Sequence, residues 1–141
     1  MKIFISGELD KPVCDSFLVI RDKIEDTLKI LNNRSYGSEI LDICIVPIIA
    51  TQSSLDAGFF KERQLLHRRD KSADYRFRIN IEKFLNGDDE TKRLLIIKVI
   101  IVSVRELGRK AKRDFDAMVL EEDILTVLEV SREEVDAIDM Q

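Results

Sequence analysis

The one histidine of this chain, His67, opens the stretch "HRRDKSADYRFRINI" (67–81), where it stands beside Arg68, Arg69, Lys71, Arg76 and Arg78. An imidazole can act as a general base, and clustered cations can hold phosphates. Neither chemistry is well supplied. No nucleophile accompanies His67, so a solvent-facing histidine in a basic strand is the better-supported reading. A single histidine also excludes His-pair metal sites and the HExxH arrangement. The five glycines (7, 37, 58, 87 and 108) are isolated, so neither a P-loop nor a dinucleotide fingerprint is present. Cys14 falls in the first turn of a helix, where a thiolate can be stabilised, but its place beside Val13 and Phe17 reads as a buried structural thiol. Cys14 and Cys44 form no metal or redox motif and read as free thiols in a reducing compartment.

The carboxylates invite the same scrutiny. "GDDE" (87–90) could hold a divalent ion, yet acids at a helix start account for it fully. "LEEDI" (120–124) has three consecutive acids, which on a helix point in different directions and cannot all face one ion. These residues therefore predict no catalytic group, no metal and no cofactor.

Charge is unevenly spread. From Lys61 to Arg78 there are seven basic and three acidic residues. Alternation puts Tyr75, Phe77, Ile79 and Ile81 on one face of a strand and Arg76, Arg78 and Asn80 on the other. An RNA platform needs aromatic and basic residues on the same exposed face. The arginines therefore read as the wet side of a sheet, with the aromatics in the core. From Asp114 to the C-terminus ten acidic residues face a single base, Arg132. Such a surface steers a positively charged partner, and it serves equally as a solubilising face; both readings stand. The densest acids are Glu121, Glu122 and Asp123, then Glu133, Glu134 and Asp136.

The elements that must carry these groups follow from the hydrophobic pattern. A chain of 141 residues fits one domain, 1–141, and the net charge of -4 argues against a dedicated DNA-binding domain. No secretory signal is visible in "MKIFISGELDKP", and "LLIIKVIIVSV" (94–104) is shorter than the roughly 20 residues that span a bilayer. A cytoplasmic protein without membrane contact is expected. "KIFIS" (2–6) reads as a strand. Asp10 as N-cap and Pro12 in the first turn introduce a helix whose stripe is Val13, Phe17, Ile20, Ile24, Leu28 and Leu31. "ILDICIVPIIAT" (40–51) is apolar on both alternating sets, and Pro47 implies an edge or a bulge. "FFKERQLLHRR" and "DYRFRINI" suggest a hairpin across "DKSA".

Asp88 then caps a helix from Thr91 to Leu107, where length decides against a strand, and Leu94, Ile97, Ile101 and Val104 keep helical spacing. A further helix starts near Asp116 with Met118, Val119, Leu125 and Leu128 inward, and "SREEV" resembles a capping box from Ser131 to Glu134. The order β-α-β-β-β-α-α predicts an α+β domain, with an antiparallel sheet of about four strands and helices packed on one face.

"FISGE" (4–8), "DYRFRIN" (74–80) with Phe84 following, and "KRDFD" (112–116), in this order and spacing, resemble the immunity protein 44 family of bacterial polymorphic toxin systems. The resemblance implies a cytosolic antidote that binds a cognate protein toxin, has no catalysis of its own and expects no nucleic acid. Such toxins are often nucleases with basic clefts. On that reading Glu121, Glu122, Asp123, Glu133, Glu134 and Asp136 become candidate toxin contacts. Two rivals remain: a nucleic-acid-binding regulator using the basic sheet face, and a small enzyme with an unrecognised site.

Overall fold

Phe17, Ile24, Leu28 and Leu31 recur at helical spacing, and all four are buried along one side of the first helix. That helix, α1 (Lys11–Leu28), runs on into a 3-10 turn at Lys29–Leu31. The computed structural model of the chain describes residues 2–5, 11–37, 42–50, 63–67, 72–111 and 115–139. The expected Asp10 cap lies outside the described residues. So do the side chains of Cys14, His67, Tyr75, Arg76, Phe77 and Arg78, and with them the face assignment made for the basic strand.

Strand β1 (Lys2–Ile5) precedes α1, and β2 (Asp42–Ala50), β3 (Arg63–His67) and β4 (Ser72–Asn80) follow it. Four more helices complete the described chain: α2 (Ile81–Asn86), α3 (Asp89–Lys110), α4 (Ala117–Val127) and α5 (Arg132–Asp136). The strands lie in the order β1-β2-β4-β3.

The expected fold class, an α+β domain built on an antiparallel sheet in the order β-α-β-β-β-α-α, is overturned. Helix outweighs strand, two helices (α2 and α5) extend the expected order, and the sheet is mixed. β1 runs parallel to β2 with Ile3 opposite Ile43, and β2 runs parallel to β4 with Ile45 opposite Tyr75. Only β3 with β4 is antiparallel, as arms of the expected hairpin. The physical reason is the connection: α1 carries the chain back to the end where β1 began, so β2 enters beside β1 in the same direction. The apolar run of β2 on both alternating sets is the mark of a buried parallel strand. β1 pairs only as far as Ile45 of β2, so Pro47 falls in a stretch paired, among the described residues, with β4 alone. A residue without an N–H is tolerated there.

Helix α3 is the centre of the core. Asp88 accepts the Thr91 N–H at 2.7 Å and caps its start. Leu95, Ile96, Ile97, Val99, Ile100, Ile101, Val104 and Leu107 are all buried. A helix apolar nearly all round must be surrounded, and α3 meets α1, α2, α4, α5, β2 and β4. Buried Ser103 is satisfied within the helix, its hydroxyl donating to the Val99 carbonyl at 2.7 Å. At the far end of α3 the approach of α4 requires glycine: a Cβ on Gly108 would stand 2.5 Å from that of Ala117. Glu25 accepts the Ile5 N–H at 2.6 Å and ties the end of β1 to α1.

Candidate partner-binding surface

The six acids singled out in the sequence fall on or beside α4 and α5, and they divide by environment. Glu121 is buried, with its side chain 10% exposed. Its Oε1 accepts from Arg105 on α3, and its Oε2 accepts from Arg132 Nε on α5 at 2.9 Å. Asp136 accepts from the same Arg105 at 2.9 Å and lies 3.9 Å from Lys98. The Arg105 guanidinium holds the Asp136 carboxyl below the usual carboxylate range. Asp123 turns to the opposite side of α4, where it accepts from the Tyr36 hydroxyl at 2.5 Å and pairs with Arg34 at 3.2 Å. The three acids of "LEEDI" thus diverge, as helical geometry demands.

Glu122, Glu133 and Glu134 are exposed. Glu122 lies 3.8 Å from Arg132. Glu134 closes the capping box of α5: its backbone N–H donates to Ser131 Oγ at 3.1 Å, and its carboxylate accepts from the Ser131 N–H at 3.4 Å. Three of the six candidates, Glu121, Asp123 and Asp136, are therefore held in ion pairs within the fold. Those pairs could not be foreseen, because their partners come from α3, α5 and the turn after α1. A buried acid amid apolar neighbours was the only available signal.

The phenol of Tyr36 is part of the same support. Its ring is buried, and its carbonyl accepts the Asp116 N–H at 2.7 Å. Burial first, and the Asp123 carboxylate second, push the hydroxyl up to about 12. A raised folded-state value means this contribution to stability is complete below the unfolded phenol value of about 10, and is lost as pH rises through the folded one. Tyr36→Phe should therefore be less stable than the parent at neutral pH, with the gap narrowing between about pH 10 and 12. Denaturant titrations at pH 8 and pH 11.5 check this; a gap of constant size would mean the hydroxyl ionises no differently in the folded state.

Elsewhere, a groove of about 380 Å³ lies between α1 and the start of α3, closed at one end by Leu128. Val19, Ile20 and Ile24 form its apolar side, and Lys23, Asp89, Glu90 and Arg93 its charged rim. Arg93 is 3.6 Å from Glu90 and donates to the Leu128 carbonyl at 2.5 Å. The "GDDE" acids are thus a capped helix start. Cys44 is a half-buried thiol on β2. Among the described residues, no helix is long and apolar enough to cross a membrane.

The helix expected from Asp116 keeps its cap, with Asp116 accepting the Val119 N–H at 3.2 Å, but its inward face differs. Leu125 and Leu128 are buried as expected, and Leu120 and Ile124 join them. Met118 and Val119, expected inward, are exposed by 78% and 46%.

The family model described as immunity protein 44 matches residues 1–130. No curated protein and no solved structure matches the chain.

Proposed function

The chain belongs to the immunity protein 44 family, whose membership implies neutralisation of a cognate toxin, and on that premise we propose that it does so by binding alone. The toxin in this reading is a nuclease met in the cytosol, and the protein offers its acidic C-terminal region to the cationic cleft. A nuclease must present positive charge to hold phosphates, so an inhibitor gains by presenting negative charge to the same surface.

The observation that supports this reading is the charge distribution from Asp114 onward, ten acids against Arg132. Glu121, Asp123 and Asp136 are hydrogen-bonded within the fold, which leaves the exposed Glu122, Glu133 and Glu134 as the outward candidates of the six, Glu122 meeting Arg132 only at 3.8 Å. Glu121, Asp123 and Asp136 then support the surface from behind.

Rim charges act mainly on association rate. The rate of binding to the cognate toxin domain should therefore fall as salt rises from low to physiological strength, where the screening length is about 8 Å. Glu122→Lys with Glu133→Lys should lower the rate further at low salt and flatten its salt dependence. Stopped-flow kinetics at two salt concentrations read both effects. A rate indifferent to salt and to the double reversal would place the interface away from this region.

A further inference from the structure

The outward side of α4 carries two adjacent exposed apolar residues, Met118 and Val119. Successive helical residues are turned by about 100°, so Met118, Val119, Glu122 and Thr126 fall within one arc of roughly 100°, and Glu129 follows just beyond the helix end. All five are exposed. The opposite arc, Leu120, Ile124, Leu125 and Leu128, fills the core against α3 and needs nothing from them. Met118 and Val119 are thus two large apolar side chains, adjacent at the helix start, that the fold leaves in water. Methionine is enriched at protein interfaces and adapts to irregular recesses. Every charged residue of the arc is an acid; Glu122 lies 3.8 Å from the Arg132 guanidinium, whose closer partner is Glu121 at 2.9 Å.

Glu129 adds a further oddity. It follows α4 with φ 56, the one left-handed non-glycine residue among those described. Around it the Val130 N–H donates to the Leu125 carbonyl at 3.1 Å and the Glu129 N–H to that of Thr126 at 3.2 Å. This is the helix-ending motif in which glycine is the default. The fold would be better served by glycine there, and the chain carries a carboxylate.

We propose that this arc is a protein-docking surface whose occupant is a cationic face of the cognate toxin with an apolar recess. Met118 and Val119 seat in the recess, and Glu122 and Glu129 meet lysine or arginine side chains around it. Charge complementarity selects the occupant: an arc whose charges are all negative repels an acidic partner and attracts a basic one. The inference rests on the reading of the protein as a toxin inhibitor and assigns that activity to side chains the acidic run alone does not single out.

The test uses the full chain and its cognate toxin domain, with surface-based kinetics and chemical denaturation run on each variant. Met118→Ala combined with Val119→Ser should leave the denaturation midpoint unchanged and weaken binding by roughly tenfold or more, chiefly through faster dissociation. Glu129→Gly should raise the midpoint and still weaken binding, an opposition that a merely structural residue cannot produce. Val19→Ser, on the far groove, should bind as the parent does. A parent that binds while the Met118, Val119 and Glu129 variants bind equally well overturns the docking arc and leaves the inhibitor reading intact. Loss of binding by Val19→Ser alone moves the interface to the groove between α1 and α3, with the same consequence. A parent that does not bind the toxin domain removes the inhibitor reading itself, and the arc with it.

Discussion

Phe84→Ala should destabilise the protein by about 3–5 kcal/mol, the range for removing a large aromatic side chain from a closed core. Phe84 is fully buried on α2, the short helix that turns the chain from β4 into α3. Its ring lies 6.0 Å from that of Phe17 on α1 at an interplanar angle of 51°. The ammonium of Lys92 stands 5.6 Å from the ring centroid while donating to Ser16 at 2.9 Å. One side chain therefore joins α1, α2 and α3, and its loss opens a cavity where three elements meet. The neighbouring Leu85 is 42% exposed, and Leu85→Ala should stay within about half a kcal/mol. Denaturant unfolding of the two variants compares them, and similar losses for both would show that α2 packs otherwise.

The second large effect belongs to Glu121. Glu121→Lys would put an ammonium between the guanidiniums of Arg105 and Arg132, in a site only 8% exposed. Breaking a buried pair costs about 3–5 kcal/mol. Both arginines reach solvent here, so the lower part of that range is expected. Glu122→Lys, one residue on, exchanges an exposed charge and should change stability by about half a kcal/mol at most. Chemical denaturation of the pair separates supporting acids from outward ones. Equal losses would mean that Glu121 is no more committed to the fold than its neighbour.

Local signals in the sequence carried much of the helical structure. The Asp88 cap and the Ser131–Glu134 box depend on residues within a few positions of one another and are present, as is the α1 stripe at Phe17, Ile24, Leu28 and Leu31, with Ile20 half-buried beside it. The strand-like composition of α3 was resolved by its length between a cap and a glycine. Other features depend on partners far along the chain. Parallel pairing of β1, β2 and β4 is set by what the connections permit, and the apolar run of β2 hinted at it without fixing strand order.

The face of α4 failed for a different reason. Apolar residues at 118, 119, 120, 124, 125, 127 and 128 admit two phases, and only packing against α3 selects Leu120 and Ile124 over Met118 and Val119. Sites where local pattern and fold disagree are often functional, and this one underlies the docking arc. Among the acids, composition could mark the region but not separate Glu121 from Glu122. That difference comes from Arg105, sixteen residues upstream on another helix.

Whether this chain inhibits by occupying its target is open to a titration of a cognate toxin domain, with the toxin's own activity as the readout. Inhibition by binding predicts activity that falls in proportion to added protein and is abolished at one equivalent, with unmodified and active toxin recovered when the complex is dissociated. Full activity in the presence of excess protein would contradict the account. So would inactivation by a small fraction of an equivalent, since that requires turnover by a catalytic site.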